Sequence, residues 1–185
     1  MNRLLVSSAC AAFLLAPSMF ATLAQAQSLG EKTGVNSTLG VAPTTQDFVT
    51  EAANSDILEL AAAQIATNKG NADEQKFAKQ MTTDHTQTSK DIKAMIDGGD
   101  VKATIPVQLD SSGQKKLDEL RDAKPEDFSG YYDPMQVSAH KDAVSLFERY
   151  ARSGDNSKLK DWAGKTLPTL QHHLEMAENL NKKRD

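Results

Sequence analysis

Cysteine is almost absent from this chain, which has a single such residue, Cys10, among 185. Cys10 lies in an N-terminal apolar segment that we predict to be removed, and the rest of the chain contains no cysteine. Because a chain without paired cysteines forms no intramolecular disulfide, the fold must rest on its apolar core. The chain is long enough to build one such core in a single domain.

Aromatic residues and strand-forming patterns are also scarce. Aromatic side chains make up 5% of the chain, and sustained alternation of apolar and polar residues does not occur, so the sequence predicts helices. Glycine-rich phosphate loops and the Gly-x-Ser-x-Gly element of serine hydrolases are missing. The net charge of −4 comes from interspersed acidic and basic residues, which is not typical of nucleic-acid binding.

Only one long apolar run occurs, and it begins near the N-terminus. Met1–Arg3 form a short basic start, residues 4–23 are mainly apolar, and Ala24–Ala26 match the small-x-small pattern that signal peptidase reads. We interpret residues 1–26 as a cleaved signal peptide and expect a periplasmic or otherwise exported protein. Since no second long apolar segment follows, no transmembrane segment is expected after cleavage.

The remaining sequence divides into a lead and a helical domain. Residues 27–45 are rich in Gly, Ser, Thr and Asn without a sustained period, and they predict a flexible N-terminal lead. Residues 46–181 follow the 3,4 spacing of amphipathic helices and predict one four-helix bundle domain. Capping and breaking signals place the helices at about 45–67, at about 71–96, from Pro125 or Asp133 to about 152, and from the 153–155 turn to about 181.

A long connection separates the second and third predicted helices. It covers residues 100–124 and contains one short amphipathic helix at about 112–121. A connection of that length lets the third helix run parallel to the second, as in ferritin-like bundles. The sequence therefore predicts an all-α, ferritin-like four-helix bundle with a long connection and a short helix between helices two and three.

Three of the four histidines lie where the helix pattern would otherwise place apolar side chains. His85, His140 and His173 each continue the apolar stripe of a different predicted helix. A buried imidazole needs hydrogen-bond or metal partners to offset its desolvation, so we expect the three rings to converge. With Glu59 or Asp84 completing the set, they are candidate ligands for a divalent transition metal such as zinc, iron, manganese or copper.

Other interpretations of these histidines remain. In a structural network, each ring would tie its helix to a neighbour through Glu59, Asp84 or a backbone carbonyl. A ferritin-type di-iron centre needs Glu-x-x-His on two helices, and no glutamate in this chain is followed three residues later by histidine. We therefore assign no catalytic residues. His172 lies about 100° around the helix from His173 and is predicted to face solvent or the rim of the site.

The helical part of the chain resembles a known family. The matching residues are Phe48-Val49, Glu59-Leu60, Phe77-Ala78, Met81, Asp84-His85, Ala139-His140, Ala143-Val144, Leu146-Phe147, Thr166-Leu167-Pro168-Thr169-Leu170, His173-Leu174 and Met176-Ala177. They are similar to domain-of-unknown-function family 4142, whose members look ferritin-like and are often labelled exported or outer-membrane proteins. The resemblance implies a fold and a location, and it carries no settled activity.

Two classes of function follow from the sequence. The first is a non-enzymatic, exported envelope module of unknown biochemical role, active in stress response or in binding an unknown envelope partner. The second is a metal- or small-ligand-binding bundle that uses the core histidines. They differ in what the three histidines do, since the first class needs them only for stability and the second needs them to retain an ion.

Overall fold

The computed structural model describes residues 29–32 and 34–184. The predicted signal peptide, residues 1–26, and its Cys10 lie outside the described residues. No helix in the described part of the chain is both long enough and apolar enough to cross a membrane.

Four long helices form the molecule, and the described residues contain no strand, which confirms the prediction of an all-α bundle. The long helices are α3 (Thr45–Lys69), α4 (Ala72–Asp97), α6 (Phe128–Ser153) and α7 (Ser157–Arg184). Shorter elements are α1 (Leu29–Lys32), α2 (Val35–Leu39), α5 (Ser111–Asp122) and a 3-10 turn, Pro125–Asp127. Helix α5 is the short helix predicted in the long connection.

Local capping explains where the first two long helices begin. The Thr44 side chain accepts a hydrogen bond from the Asp47 backbone N–H and caps α3. Asn71 and Glu74 form a capping box at the start of α4, each side chain accepting a hydrogen bond from the other residue's backbone N–H. Because only Gly70 and Asn71 separate the two helices, α3 and α4 form a tight antiparallel hairpin.

Contacts between helices give their relative directions. Phe77 on α4 contacts Tyr132 on α6, and eight residues further along both helices His85 contacts His140. Helix α6 therefore runs parallel to α4. On α7, Trp162 donates to Asp91 across 3.1 Å, whereas Lys183 pairs with Asp73, so α7 runs antiparallel to α4. The finer ferritin-like topology stays a prediction.

Helix α6 differs from the prediction at its beginning. The sequence favours a weak start at Pro125 and a restart at Asp133, but the structure shows a 3-10 turn at Pro125–Asp127 followed by one continuous helix. Pro134 lies inside that helix. Because proline has no backbone N–H, one hydrogen bond within the helix is missing. Burial of Phe128 and Tyr132 on the preceding turns offsets the loss of that bond.

The structure places two short helices in the region that the sequence predicts to be a flexible N-terminal lead. Helices α1 and α2 lie within residues 29–39 and pack beside α6. The guanidinium of Arg149 binds the Glu31 carboxylate at 2.6 Å and donates to the Val41 carbonyl at 2.7 Å. Glycine and serine content indicated flexibility, and this long-range ion pair holds the segment in place.

The apolar interior consists of two clusters with the histidines between them. The turn-end core lies toward the α3–α4 turn and contains Leu58, Ala62, Ala66, Phe77, Met81, Leu117, Leu120, Phe128, Tyr132 and Met135. The opposite core contains Phe48, Val49, Ile92, Leu146, Phe147, Tyr150, Leu159 and Leu170. Helix α5 contributes Leu117 and Leu120, so the long connection closes one side of the turn-end core.

Candidate metal centre

The three core histidines come from three helices and meet in the middle of the bundle. His85 on α4, His140 on α6 and His173 on α7 are only 1–2% exposed. Their ring centroids are 5.4–6.0 Å apart, and one nitrogen from each ring lies within 4.8 Å of the others. The helix stripes in the sequence thus point to residues that the fold brings together.

The outer nitrogen of His85 is held by a carboxylate. Its Nδ1 lies 2.8 Å from Oδ1 of Asp56 on α3. The same carboxylate accepts hydrogen bonds from the hydroxyls of Thr88 at 2.7 Å and Ser89 at 2.9 Å. Because a carboxylate only accepts, the ring donates its Nδ1 proton, and in the neutral tautomer its Nε2 lone pair points inward.

The other two rings are held in the same manner. His140 Nδ1 lies 2.9 Å from the backbone carbonyl of Gln136, one turn earlier on α6. His173 Nε2 lies 2.7 Å from Oδ2 of Asp84. Both partners only accept, so each ring donates outward and presents its remaining nitrogen to the centre. Outer hydrogen bonds of this kind orient histidine ligands around metals.

The inner nitrogens are unpartnered among the described residues. They are Nε2 of His85, Nε2 of His140 and Nδ1 of His173. When all three rings are neutral, three buried lone pairs face one another and repel, and a cation between them converts this repulsion into coordination. Metal–nitrogen bonds near 2.1 Å place two nitrogens at most about 4.2 Å apart, so binding requires a modest inward movement of the rings.

Burial keeps two of the three imidazoles, His140 and His173, in the neutral form, which is the form that binds a metal ion. Burial lowers the pKa of His140, and the nearby charge of His85 lowers it further. Burial, partly opposed by the hydrogen bond to Asp84, lowers the pKa of His173 to about 4. Both rings are therefore neutral at pH 7, with a lone pair available.

The pKa of His85 shifts in the opposite direction. Burial by itself lowers its pKa, but the hydrogen bond to Asp56 and the charges of Glu59, Asp56 and Asp84 outweigh burial and raise it. The carboxylates around His85 thus favour a positive charge at this point. A bound divalent cation satisfies the same preference and displaces the proton.

Glu59, the first carboxylate that the sequence analysis offered to complete the ligand set, is not in the group of converging ligand atoms, which consists of the three histidines. It is buried on α3, and neither carboxylate oxygen has a hydrogen-bond partner within the described ranges. Its charge raises the pKa of both His85 and His140. A buried carboxylate without donors needs a proton or a cation, so Glu59 is the residue available to complete the ligand set.

Asp84 and Asp56 are placed on the outside of the cluster. Asp84, a second carboxylate considered from the sequence, binds the outer nitrogen of His173 and is 24% exposed, so it orients that ring. The sequence analysis missed Asp56. Its spacing carries a signal, because Asp56 lies three residues before Glu59 and therefore close to the same face of α3. His172 is 67% exposed, as predicted.

Comparison with known proteins places the chain in a family. The model of the family described as Domain of unknown function (DUF4142) matches residues 30–180. The chain belongs to this family. No curated protein and no solved structure matches the chain. The DUF4142 match covers all the residues of the candidate centre, and because its description names no activity, a functional assignment depends on the chemistry of the site.

Proposed function

We propose that this DUF4142 protein is an exported helical bundle that binds one divalent transition-metal ion in its interior. The ligands are His85, His140 and His173, and Glu59 supplies a carboxylate. The observation that carries the proposal is the convergence of three buried imidazoles, each of which has one ring nitrogen without a hydrogen-bond partner in the described part of the chain. Export rests on the basic, apolar and small-residue pattern of residues 1–26.

A purely structural network explains the site less well. Such a network stabilises a core when every buried polar group has a partner. Here the outer nitrogens have partners, whereas the inner nitrogens and both Glu59 oxygens have none among the described residues. These are the atoms that a metal ion would contact.

The donor set narrows the kind of ion. Three imidazoles and one carboxylate suit zinc, iron, manganese or copper, and the absence of thiolates excludes a cysteine-rich zinc site. One ion per chain is expected, because three nitrogens and one carboxylate make a single four-ligand set. The proposed activity is binding. The role of an interaction module in the envelope stays a prediction.

Elemental analysis of protein purified from its own compartment tests the proposal. We expect about one transition-metal ion per chain, in line with a four-ligand site. Replacing His85, His140 and His173 together by Gln should abolish retention. His140→Gln alone should lower it strongly and serves if the triple variant does not fold.

His172→Gln is the matched control because it removes an adjacent, exposed imidazole. It should retain the same amount of metal as the wild-type protein. Wild-type protein that holds no stoichiometric ion, even after incubation with zinc and removal of the excess, contradicts the proposal. Equal loss in the His172 and His140 variants also contradicts it.

A further inference from the structure

The proposed metal centre is closed to solvent at the level of its ligands. The three imidazoles and Glu59 are only 1–2% exposed. A metal site needs an entry path from solvent to such a buried centre. Fully buried polar side chains outside the ligand set show where that path lies.

Helix α6 carries two such side chains in line with the centre. Gln136 and Tyr132 lie four and eight residues before His140, so all three follow one face of the helix. Gln136 and Tyr132 have no exposed surface. Both polar atoms of the Gln136 amide and the Tyr132 hydroxyl lack hydrogen-bond partners among the described residues.

Helix α4 supplies a carboxylate at the outer end of this line. Glu74 is fully buried, and its Oε2 accepts the Asn71 backbone N–H in the capping box at 2.6 Å. Its Oε1 has no partner in the described ranges. Because Asn71 is exposed, Glu74 lies one short step from solvent at the α3–α4 turn.

The position of Phe77 gives the order of these groups along the bundle. The Phe77 ring contacts both Tyr132 and His140, at centroid distances of 6.3 Å and 5.9 Å, and Glu74 lies three residues before Phe77 on α4. Burial, and then the charges of Glu59 and Glu74, raise the pKa of Tyr132. Because α4 and α6 run parallel, Gln136, Tyr132 and Glu74 follow one another in that order from the histidine centre toward the α3–α4 turn.

In the other direction from the histidines, the hydrogen-bonded cluster of Asp56, Thr88 and Ser89 comes first, and an apolar core follows it. Ile92, Ala143 and Phe147 belong to this opposite core. Apolar side chains offer no ligands to a hydrated ion and make its dehydration costly. The fully buried side chains of α6 that lack hydrogen-bond partners among the described residues lie toward the turn end.

We propose that Glu74, Tyr132 and Gln136 form an internal access route along which a divalent cation moves between the α3–α4 turn and the centre formed by the histidines and Glu59. The inference rests on the proposed metal site. Glu74 attracts the cation at the outer end, and Tyr132 and Gln136 replace part of its hydration shell on the way to the centre. Buried polar groups without protein partners are typically satisfied by ordered water, which such a route requires.

Binding kinetics distinguish a route from a ligand set. A residue on the route affects only the barrier, so its loss slows association and dissociation by the same factor and leaves Kd unchanged. A residue that ligates the bound ion changes Kd instead. Cobalt(II) is the probe, because its visible absorption reports coordination by the imidazoles, and stopped-flow mixing with cobalt and with a chelator gives both rates.

The main variant is Tyr132→Phe combined with Gln136→Leu, which keeps volume and removes the polar atoms. We expect both rates to fall about tenfold with Kd changed less than twofold. Glu74→Gln keeps an oxygen for the Asn71 N–H but removes the charge, and it should slow association by a similar factor, within the range of electrostatic effects on binding rates. Met135→Leu, in the same core, is the control and should change neither rate.

The possible outcomes test the access route and the metal site separately. Cobalt binding with unchanged rates in the double variant overturns the route and leaves the metal site standing. A weaker Kd with an unchanged association rate also overturns it, since the side chains would then be ligands. Wild-type protein that binds no cobalt overturns both the site and the route.

Discussion

At the proposed metal site, residues that hydrogen-bond to the ligands matter as much as the ligands themselves. Asp56 is the clearest case, because its two oxygens accept hydrogen bonds from His85, Thr88 and Ser89. This carboxylate fixes both the orientation of the His85 ring and the nitrogen that it presents. Hydrogen-bonded partners of this kind tune metal affinity without touching the ion.

Asp56→Asn should therefore weaken metal binding without removing a ligand. The amide keeps an acceptor but loses the charge that favours a positive centre, and we expect about 10- to 100-fold lower affinity. Competition with a chromophoric chelator measures this change. Asp118→Asn, in an exposed pair with Arg121, is the control and should bind as the wild-type protein does. Equal affinity in the Asp56 and Asp118 variants would show that Asp56 has no part in the site.

Among the helices, the short N-terminal α1 and α2 depend most on a single contact. Arg149 and Glu31 form an ion pair in which both side chains are nearly buried, and Arg149 also holds the Val41 carbonyl. Helices α1 and α2 have four and five residues, too few to be stable alone. Their position is thus set by α6 and not by their own propensity.

Arg149→Met should release this segment from the bundle. Methionine fills similar volume but removes the guanidinium from the Glu31 carboxylate, and breaking a buried pair costs about 3–5 kcal/mol. Detaching residues 29–41 relieves that cost, so we expect faster amide hydrogen exchange in those residues while α3–α7 keep their protection. Arg152→Met, at an exposed position of the same helix, is the control. Unchanged exchange in residues 29–41 would contradict this account.

The whole molecule places polar groups at the centre of its core. Apolar clusters flank the histidines on both sides, and stability comes mainly from those clusters. The buried imidazoles link stability to pH, because His173 has a pKa of about 4 in the folded protein, well below its ordinary value of 6.5. Between these two values the unfolded chain binds a proton that the folded chain excludes.

The free energy of unfolding of metal-free protein should therefore fall as pH decreases from about 6.5 to about 4. The contribution of His173 is about 2–3 kcal/mol, since one pKa unit corresponds to about 1.4 kcal/mol. Urea unfolding in the presence of a chelator, at pH 7 and pH 4.5, measures it.

His173→Asn isolates this contribution from the carboxylates that titrate in the same range. Asn keeps a donor for Asp84 and does not titrate, so the variant should lose less stability than the wild-type protein between the two pH values. The same loss in both proteins would mean that His173 is not a buried, neutral group in the folded state.

Much of the fold and part of the site could be predicted from local patterns. Capping residues such as Thr44 and Asn71 mark helix starts, and the 3,4 spacing assigns His85, His140 and His173 to the core faces of three helices. Periodicity states which face a residue occupies. It does not state how far one helix is shifted or rotated against another, so it left the outer partner of each histidine open.

By itself, the sequence determined the four long helices, the capped starts of α3 and α4, and the three imidazoles that face inward, because these depend on neighbours within a few turns. Only the tertiary structure decided which nitrogen each ring presents. Asp56 and His85 are 29 residues apart, His173 and Asp84 are 89 apart, and Arg149 and Glu31 are 118 apart. Their contacts depend on the packing offset between helices and on side-chain rotamers, which the spacing of residues along one helix does not encode.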